Sequence, residues 1–130
     1  MSPPRFSGHN IIVVEDHDDA RTYVGMFLNS LGADVILAKD GVEALEAVKN
    51  NEPNLVITDL QMPRMDGFEL LKEIRALKPD CKGTVPIIAM TAVATRAAQV
   101  RLAHMGFRAC LEKPFTAEEL LEAILAALET

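Results

Sequence analysis

Five side chains spread along this 130-residue chain have the types and positions to carry a reaction. Glu15 and Asp16 follow the apolar run Ile11-Ile12-Val13-Val14, and Asp59 follows Leu55-Val56-Ile57-Thr58. Thr91 follows Val85-Pro86-Ile87-Ile88-Ala89-Met90, and Lys113 comes just after Ala109-Cys110-Leu111 and before Pro114. Together these residues have a definite chemistry. Carboxylates a few ångströms apart repel one another, so a proton or a cation must neutralise them. Oxygen ligands without a histidine or cysteine cluster favour a hard divalent ion such as Mg²⁺, with Mn²⁺ as its alternative. Such an ion takes one or two carboxylates, keeps several waters and leaves room for a phosphate oxygen. A carboxylate can attack phosphorus to give an aspartyl phosphate. Catalysis of that transfer is mostly positioning and charge stabilisation on the equatorial oxygens. The ion can serve one oxygen, Lys113 a second and the Thr91 hydroxyl a third.

The elements that must bring these residues together are legible in the pattern. Short apolar runs rich in branched residues read as buried strands: the four just named and Asp34-Val35-Ile36-Leu37. Helical stretches lie between them. Ala20, Val24, Phe27, Leu28 and Leu31 recur at spacings of three and four, and Gly32 stops the run. Leu45 and Val48 share a face after Asp40, and Leu70, Leu71, Ile74 and Leu77 follow Asp66-Gly67. An Ala-rich stretch from about Thr95 to Met105 ends at Gly106. The last helix carries Leu120, Leu121, Ile124, Leu125 and Leu128 and opens with Thr116 and Glu119 at capping-box spacing. Five strand–helix units in alternation predict an α/β fold, a doubly wound parallel sheet with helices on both faces and right-handed crossovers. Parallel strands put Glu15, Asp16, Asp59, Thr91 and Lys113 on one edge, where ligands bind in sheets of this class.

Bulk properties narrow the function. The length suits one domain. A net charge of −6 argues against a nucleic-acid or anionic-membrane surface. Cys81 and Cys110 do not form a disulfide framework, no signal-peptide pattern opens the chain, and no apolar run is long enough to span a bilayer. A cytoplasmic protein is the expectation, with residues 1–8 as a loose tail and residues 9–130 as the domain.

The motifs Val13-Val14-Glu15-Asp16, Thr58-Asp59-Leu60-Gln61-Met62-Pro63-Arg64-Met65-Asp66-Gly67, Met90-Thr91-Ala92 and Lys113-Pro114-Phe115 resemble the receiver domains of bacterial two-component response regulators. The resemblance covers about residues 9 to 129. Singly the motifs are short; in this order, at these strand ends, they are specific. The resemblance implies a flavodoxin-like sheet of order 2-1-3-4-5 with five helices. It implies Asp59 as phosphoacceptor, and Asp16, Asp59 and the backbone carbonyl of Gln61 as direct Mg²⁺ ligands, with Glu15 acting through a metal-bound water. Lys113 is expected to pair with the phosphoryl group, its bond to Pro114 to be cis, and Thr91 to move toward the phosphoryl oxygen once Asp59 is modified. The implied partners are a sensor histidine kinase or a histidine phosphotransfer domain, and a downstream protein docking on the face made by the fourth helix, fifth strand and fifth helix.

The chain departs from the family pattern at two positions. Glu15 stands where Asp is commoner. Cys110 occupies the position, three before the lysine, that is aromatic in many receivers, and Phe107 is misplaced to substitute for it. An aromatic rotamer switch is therefore not expected. Output is expected through the backbone between the fourth strand and fourth helix, or as relay of the phosphoryl group.

The remaining polar residues have plainer readings. Asp18 or Asp19 is read as the cap of the first helix, and Asp66 as the cap of the third with Glu69 completing a capping box. His17 is read as a solvent-facing loop residue, His9 and His104 as surface residues, Cys110 as a small buried apolar residue and Cys81 as a loop thiol. A flavin carrier of the same fold needs a Ser-, Thr- and Gly-rich phosphate loop after the first strand; Glu15-Asp16-His17-Asp18-Asp19 would repel the phosphate. A dehalogenase-type phosphohydrolase wants a second Asp two residues beyond the nucleophile, where Gln61 stands. A degenerate receiver that only binds a partner is the remaining alternative, and intact Asp59, Thr91 and Lys113 argue against it.

Overall fold

A computed structural model describes residues 5–77 and 83–129. The order of elements is β1 (Asn10–Val14), α1 (Asp18–Ser30), β2 (Asp34–Ala38), α2 (Gly41–Asn50), β3 (Leu55–Asp59), α3 (Gly67–Arg75), β4 (Ile87–Thr91), α4 (Arg96–Met105), β5 (Ala109–Glu112) and α5 (Ala117–Leu128). The strands form one parallel sheet in the order β2-β1-β3-β4-β5. The doubly wound five-stranded architecture expected from the alternation is the one observed.

Within each strand successive side chains enter opposite layers, as the pleat requires. Ile12, Val14, Val56, Ile87 and Ala89 pack on one face against Ala44 and Val48 of α2, Leu70, Leu71 and Ile74 of α3, and Leu102 of α4. Ile11, Val13, Leu55, Ile57, Ile88 and Met90 pack on the other face against Val24 and Leu28 of α1 and Leu120 and Ile124 of α5. Continuous apolar strands are what two covered faces demand. Polar caps start the helices: Asp40 on α2, Asp66 with Glu69 on α3, Thr95 on α4, and Thr116 with Glu119 on α5. Gly106 ends α4.

Several local expectations are corrected. The cap of α1 is His17, whose Nδ1 accepts the Ala20 N–H at 3.4 Å; Asp18 and Asp19 occupy the first turn. β2 is an edge strand, so Leu37 is 45% exposed and only Ala38 of the strand is buried. β4 begins at Ile87 because Pro86 has no N–H to give the ladder, although its carbonyl still accepts from Val56 N. Cys110 is half-buried. His9 is half-buried rather than on the surface, edge-on to Phe6. Phe6, expected in the loose tail, is 2% exposed and packs into the α1–α5 side of the core. Cys81 lies outside the described residues.

Candidate functional site

Parallel register assembles the site. Val14 pairs with Thr58, so the next residues, Glu15 and Asp59, emerge side by side. Asp59 pairs with Met90 on its other side, and Thr91 pairs with Glu112, which places Lys113 one step beyond. One carboxylate oxygen from each of Glu15, Asp16 and Asp59 lies within 4.8 Å of the others. The Lys113 ammonium bridges two of the acids, ion-paired with Glu15 and 2.8 Å from Asp59 Oδ2. The Lys113–Pro114 bond is cis, as expected. Glu15, Asp16, Asp59 and Lys113 are thus brought together.

The acids differ in their surroundings. Glu15 is 2% exposed, Asp59 9%, and Asp16 faces solvent. Burial holds the Glu15 carboxyl above its ordinary value, aided by the Asp59 charge and opposed by Lys113 and by the His17 N–H, which donates to Glu15 Oε2 at 3.1 Å. Burial pulls Lys113 down, but its hydrogen bonds to Asp59 and Glu15 outweigh this and hold it above the usual lysine value. The two shifts are compatible, because one ammonium near the surface gains from two acids while Glu15 is buried with a second acid beside it. Three carboxylates against one ammonium leave a surplus of negative charge at the mouth. This all-oxygen donor set fits a hard divalent cation.

A cavity of about 360 Å³ opens beside Asp59, lined by Leu60, Gln61, Phe68, Thr91, Ala92, Val93 and Lys113. The Gln61 N–H donates to Asp59 Oδ1 at 3.3 Å. Thr91 shares the cavity, but its hydroxyl engages Val93, accepting from the N–H at 3.3 Å and donating to the carbonyl at 3.2 Å. α3 starts close against β3: a Cβ on Gly67 would stand 2.5 Å from the Asp59 carbonyl oxygen, so glycine is required for this approach.

Three supporting residues were missed by reading the sequence. Arg21 donates to the Glu15 carbonyl at 2.9 Å and pairs with Asp18 at 2.5 Å, steadying the segment that carries the acids. Its spacing three after Asp18 was the available signal. Arg64 reaches across to Asp40, with Nε 3.0 Å from Oδ2 and an Nη 3.2 Å from Oδ1, and ties the β3–α3 segment to the start of α2. Glu112 accepts the Ala94 N–H at 2.9 Å. Neither of the last two contacts has a signal in local spacing. His17, near the acids, is spent on capping α1. No helix among the described residues is long and apolar enough to cross a membrane.

Comparison with known proteins gives one consistent likeness. The family model for the response regulator receiver domain matches residues 11–125. The response regulator MprA of Mycobacterium sp. (strain KMS) is 38% identical over 118 residues, covering 91% of this chain and 50% of that protein. The sensor histidine kinase RcsC of Salmonella typhi is 35% identical over 119 residues, covering 92% of this chain and 12% of that protein. The chain therefore spans half or less of the length of these curated relatives. Among solved structures, the receiver domain of sensor histidine kinase PA1611 from Pseudomonas aeruginosa PAO1, with a magnesium ion coordinated in its active-site cleft, superposes with a TM-score of 0.83 at 31% identity, covering 95% of this chain and 100% of that one. The chemotaxis response regulator CheY4 of Vibrio cholerae gives a TM-score of 0.85 at 29% identity, covering 92% of this chain and 98% of that one.

Proposed function

The chain belongs to the response regulator receiver domain family, and from that premise we propose that it is the phosphoacceptor module of a two-component signalling system, receiving a phosphoryl group from a phosphohistidine onto Asp59. The observation that carries this reading is the Lys113 ammonium lying between Asp59 and Glu15 at the carboxyl ends of the strands. The Asp59 carboxylate forms the new P–O bond, and the P–N bond to the donor imidazole breaks with its electrons returning to the ring nitrogen. Lys113, held above the usual lysine value, stays charged at neutral pH and offers a fixed positive charge to one phosphoryl oxygen. Thr91, on the wall of the same cavity, offers its hydroxyl to another once it leaves Val93. Asp16, Asp59 and the backbone carbonyl of Gln61 would hold Mg²⁺ or Mn²⁺, with Glu15 acting through a water. Bound there, the ion supplies neutralisation of charge on the phosphoryl oxygens.

The donor is a sensor histidine kinase or a histidine phosphotransfer domain, and the downstream protein docks on α4, β5 and α5. The net charge of −6 disfavours direct contact with nucleic acid or an anionic membrane. The module works in the cytoplasm as a switch or relay that acts on itself, its receiver unit being residues 9–130 with Phe6 packed onto its core. Intact-protein mass spectrometry after incubation with acetyl phosphate and Mg²⁺ tests the chemistry. The expected result is a hydroxylamine-labile gain of one phosphoryl group, absent in Asp59→Asn and without Mg²⁺. A gain that survives Asp59→Asn would overturn the assignment of Asp59.

A further inference from the structure

Two side chains hold the segment between β4 and α4 at the same residue, Ala94. The Ala94 N–H donates to Glu112 Oε2 at 2.9 Å, and the Ala94 carbonyl accepts from Gln99 Nε2 at 2.8 Å. At the end of β4, where that segment begins, the Thr91 hydroxyl is committed on both sides to Val93, donating to the carbonyl and accepting from the N–H. A single hydroxyl has one proton to give, so Thr91 cannot keep its bond to the Val93 carbonyl and also donate to a phosphoryl oxygen. Glu112 is the register partner of Thr91 across β4 and β5, and the Lys113 N–H donates to the Thr91 carbonyl at 2.8 Å. Consecutive residues at the end of β5 therefore reach to different walls of the cavity. Lys113 holds Asp59, and Glu112 holds the β4–α4 segment. Glu112 is exposed and adds nothing to the core, so its carboxylate has no packing role to explain this contact.

We propose that Glu112 is a positioning residue for phosphoryl transfer to Asp59: its bond to Ala94 latches the β4–α4 segment in the arrangement that ties Thr91 to Val93, and so holds the Thr91 hydroxyl back from the phosphoryl oxygen. The proposal rests on the reading of Asp59 as phosphoacceptor. Turning Thr91 inward carries the segment with it and breaks the Glu112–Ala94 bond, so removing the latch favours the phosphorylated arrangement.

The test compares the native chain, Glu112→Ala and Glu112→Gln, the last of which keeps an oxygen for the Ala94 N–H. Beryllofluoride in Mg²⁺ serves as the phosphoryl mimic, and amide hydrogen exchange of the ligand-free proteins reports on the latch itself. Loss of one charge-assisted hydrogen bond should tighten beryllofluoride binding about fivefold in Glu112→Ala, while Glu112→Gln stays within about twofold of native. Mg²⁺ affinity alone should be equal in all three. Exchange at Ala94 should quicken in Glu112→Ala, with the amides of Val56 and Arg108, which donate to the Pro86 and Ile87 carbonyls, still protected as evidence of an intact sheet. Unchanged exchange at Ala94, or unchanged or weaker beryllofluoride binding by Glu112→Ala, overturns the proposal, as does Glu112→Gln behaving like Glu112→Ala. If the native chain binds no beryllofluoride, the phosphoacceptor reading and the positioning role fall together, whereas quickened exchange at Ala94 still establishes the contact.

Discussion

Lys113 sits where the electrostatics of the site are decided. Its ammonium answers Asp59 and the buried Glu15 at once. Lys113→Met keeps much of the stem and removes the charge, leaving two neighbouring carboxylates, one of them 2% exposed, with backbone N–H donors from His17 and Gln61. Removing one partner of a fully buried pair costs about 3–5 kcal/mol. The Lys113 side chain is 31% exposed, so solvent screening reduces the expected loss to about 1–2 kcal/mol in metal-free buffer. Mg²⁺ should restore part of that loss, because a cation at the acids relieves the same repulsion. Urea unfolding with and without Mg²⁺ checks both points, and equal stability of variant and native in metal-free buffer would contradict them. The pH dependence has a fixed sign. Glu15 binds its proton more tightly folded than unfolded, so its contribution declines as pH rises from the ordinary glutamate value of 4.5 toward its higher folded value. Lys113 is raised, so its contribution is full below 10.5 and is lost as pH rises through its higher folded value. The acids and the lysine were legible in the sequence because each marks the end of an apolar run, and the end of a run in a parallel strand is a position in space. His17 as a cap was not legible, because Asp18 and Asp19 are of better capping types and only the backbone path decides which residue precedes the helix.

The segments around the strand ends need their own restraints, and the clearest joins β3–α3 to α2. Asp40 caps α2 by accepting the Glu43 N–H at 2.9 Å while both its oxygens receive Arg64. A Cβ on Gly41 would meet the Met65 carbonyl oxygen at 2.5 Å, so the two segments touch through backbone. Arg64 holds a left-handed φ of 68°, unusual for its type, and the pair with Asp40 offsets that strain. Although burial alone would raise Asp40, its hydrogen bonds from Glu43 and Arg64 hold it below the usual aspartate value. Its stabilisation is therefore present above about pH 3.8 and is lost as pH falls through the folded value. Asp40→Asn keeps a good cap and discards the ion pair. It should cost about 0.5–1 kcal/mol at pH 7, modest because Arg64 is largely exposed, and the gap to native should narrow at pH 3. Urea denaturation at the two pH values measures this; a gap as wide at pH 3 as at pH 7 would show that the charge plays no part. Elements were legible where periodicity and caps agreed, as in α3 and α5. Edge strands were not. The apolar run of β2 looks like that of a central strand, and only the sheet order reveals that Leu37 faces solvent on the rim.

At the scale of the whole molecule, two apolar layers sandwich the sheet, and the alternation of short apolar runs with helical periods announced this architecture because five such strands, fewer than the eight of a β/α barrel, need helices on both faces of an open sheet. The extent of the packed unit was less accessible. Phe6 is a lone apolar residue between Arg5 and Ser7, with neither period to assign it to an element. Yet its ring joins Ile11, Leu28 and Ala127 in the α1–α5 layer, its N–H donates to the Leu31 carbonyl at 2.8 Å, and its carbonyl accepts from His9. Residues 5–8 thus form a turn pinned at the end of α1, and packing begins ahead of the boundary drawn at residue 9. Truncating a buried Phe to Ala ordinarily costs about 3–5 kcal/mol. Phe6 sits in a turn rather than in a strand or helix, where the backbone can relax, so the lower end, about 3 kcal/mol, is expected for Phe6→Ala. Deleting residues 1–8 should cost at least as much as Phe6→Ala, because it also removes the bond to Leu31. A loss under about 0.5 kcal/mol in urea unfolding of Phe6→Ala, the range of an ordinary surface substitution, would return these residues to a loose tail. The expected larger loss would make Phe6 the N-terminal anchor of the layer formed by α1 and α5.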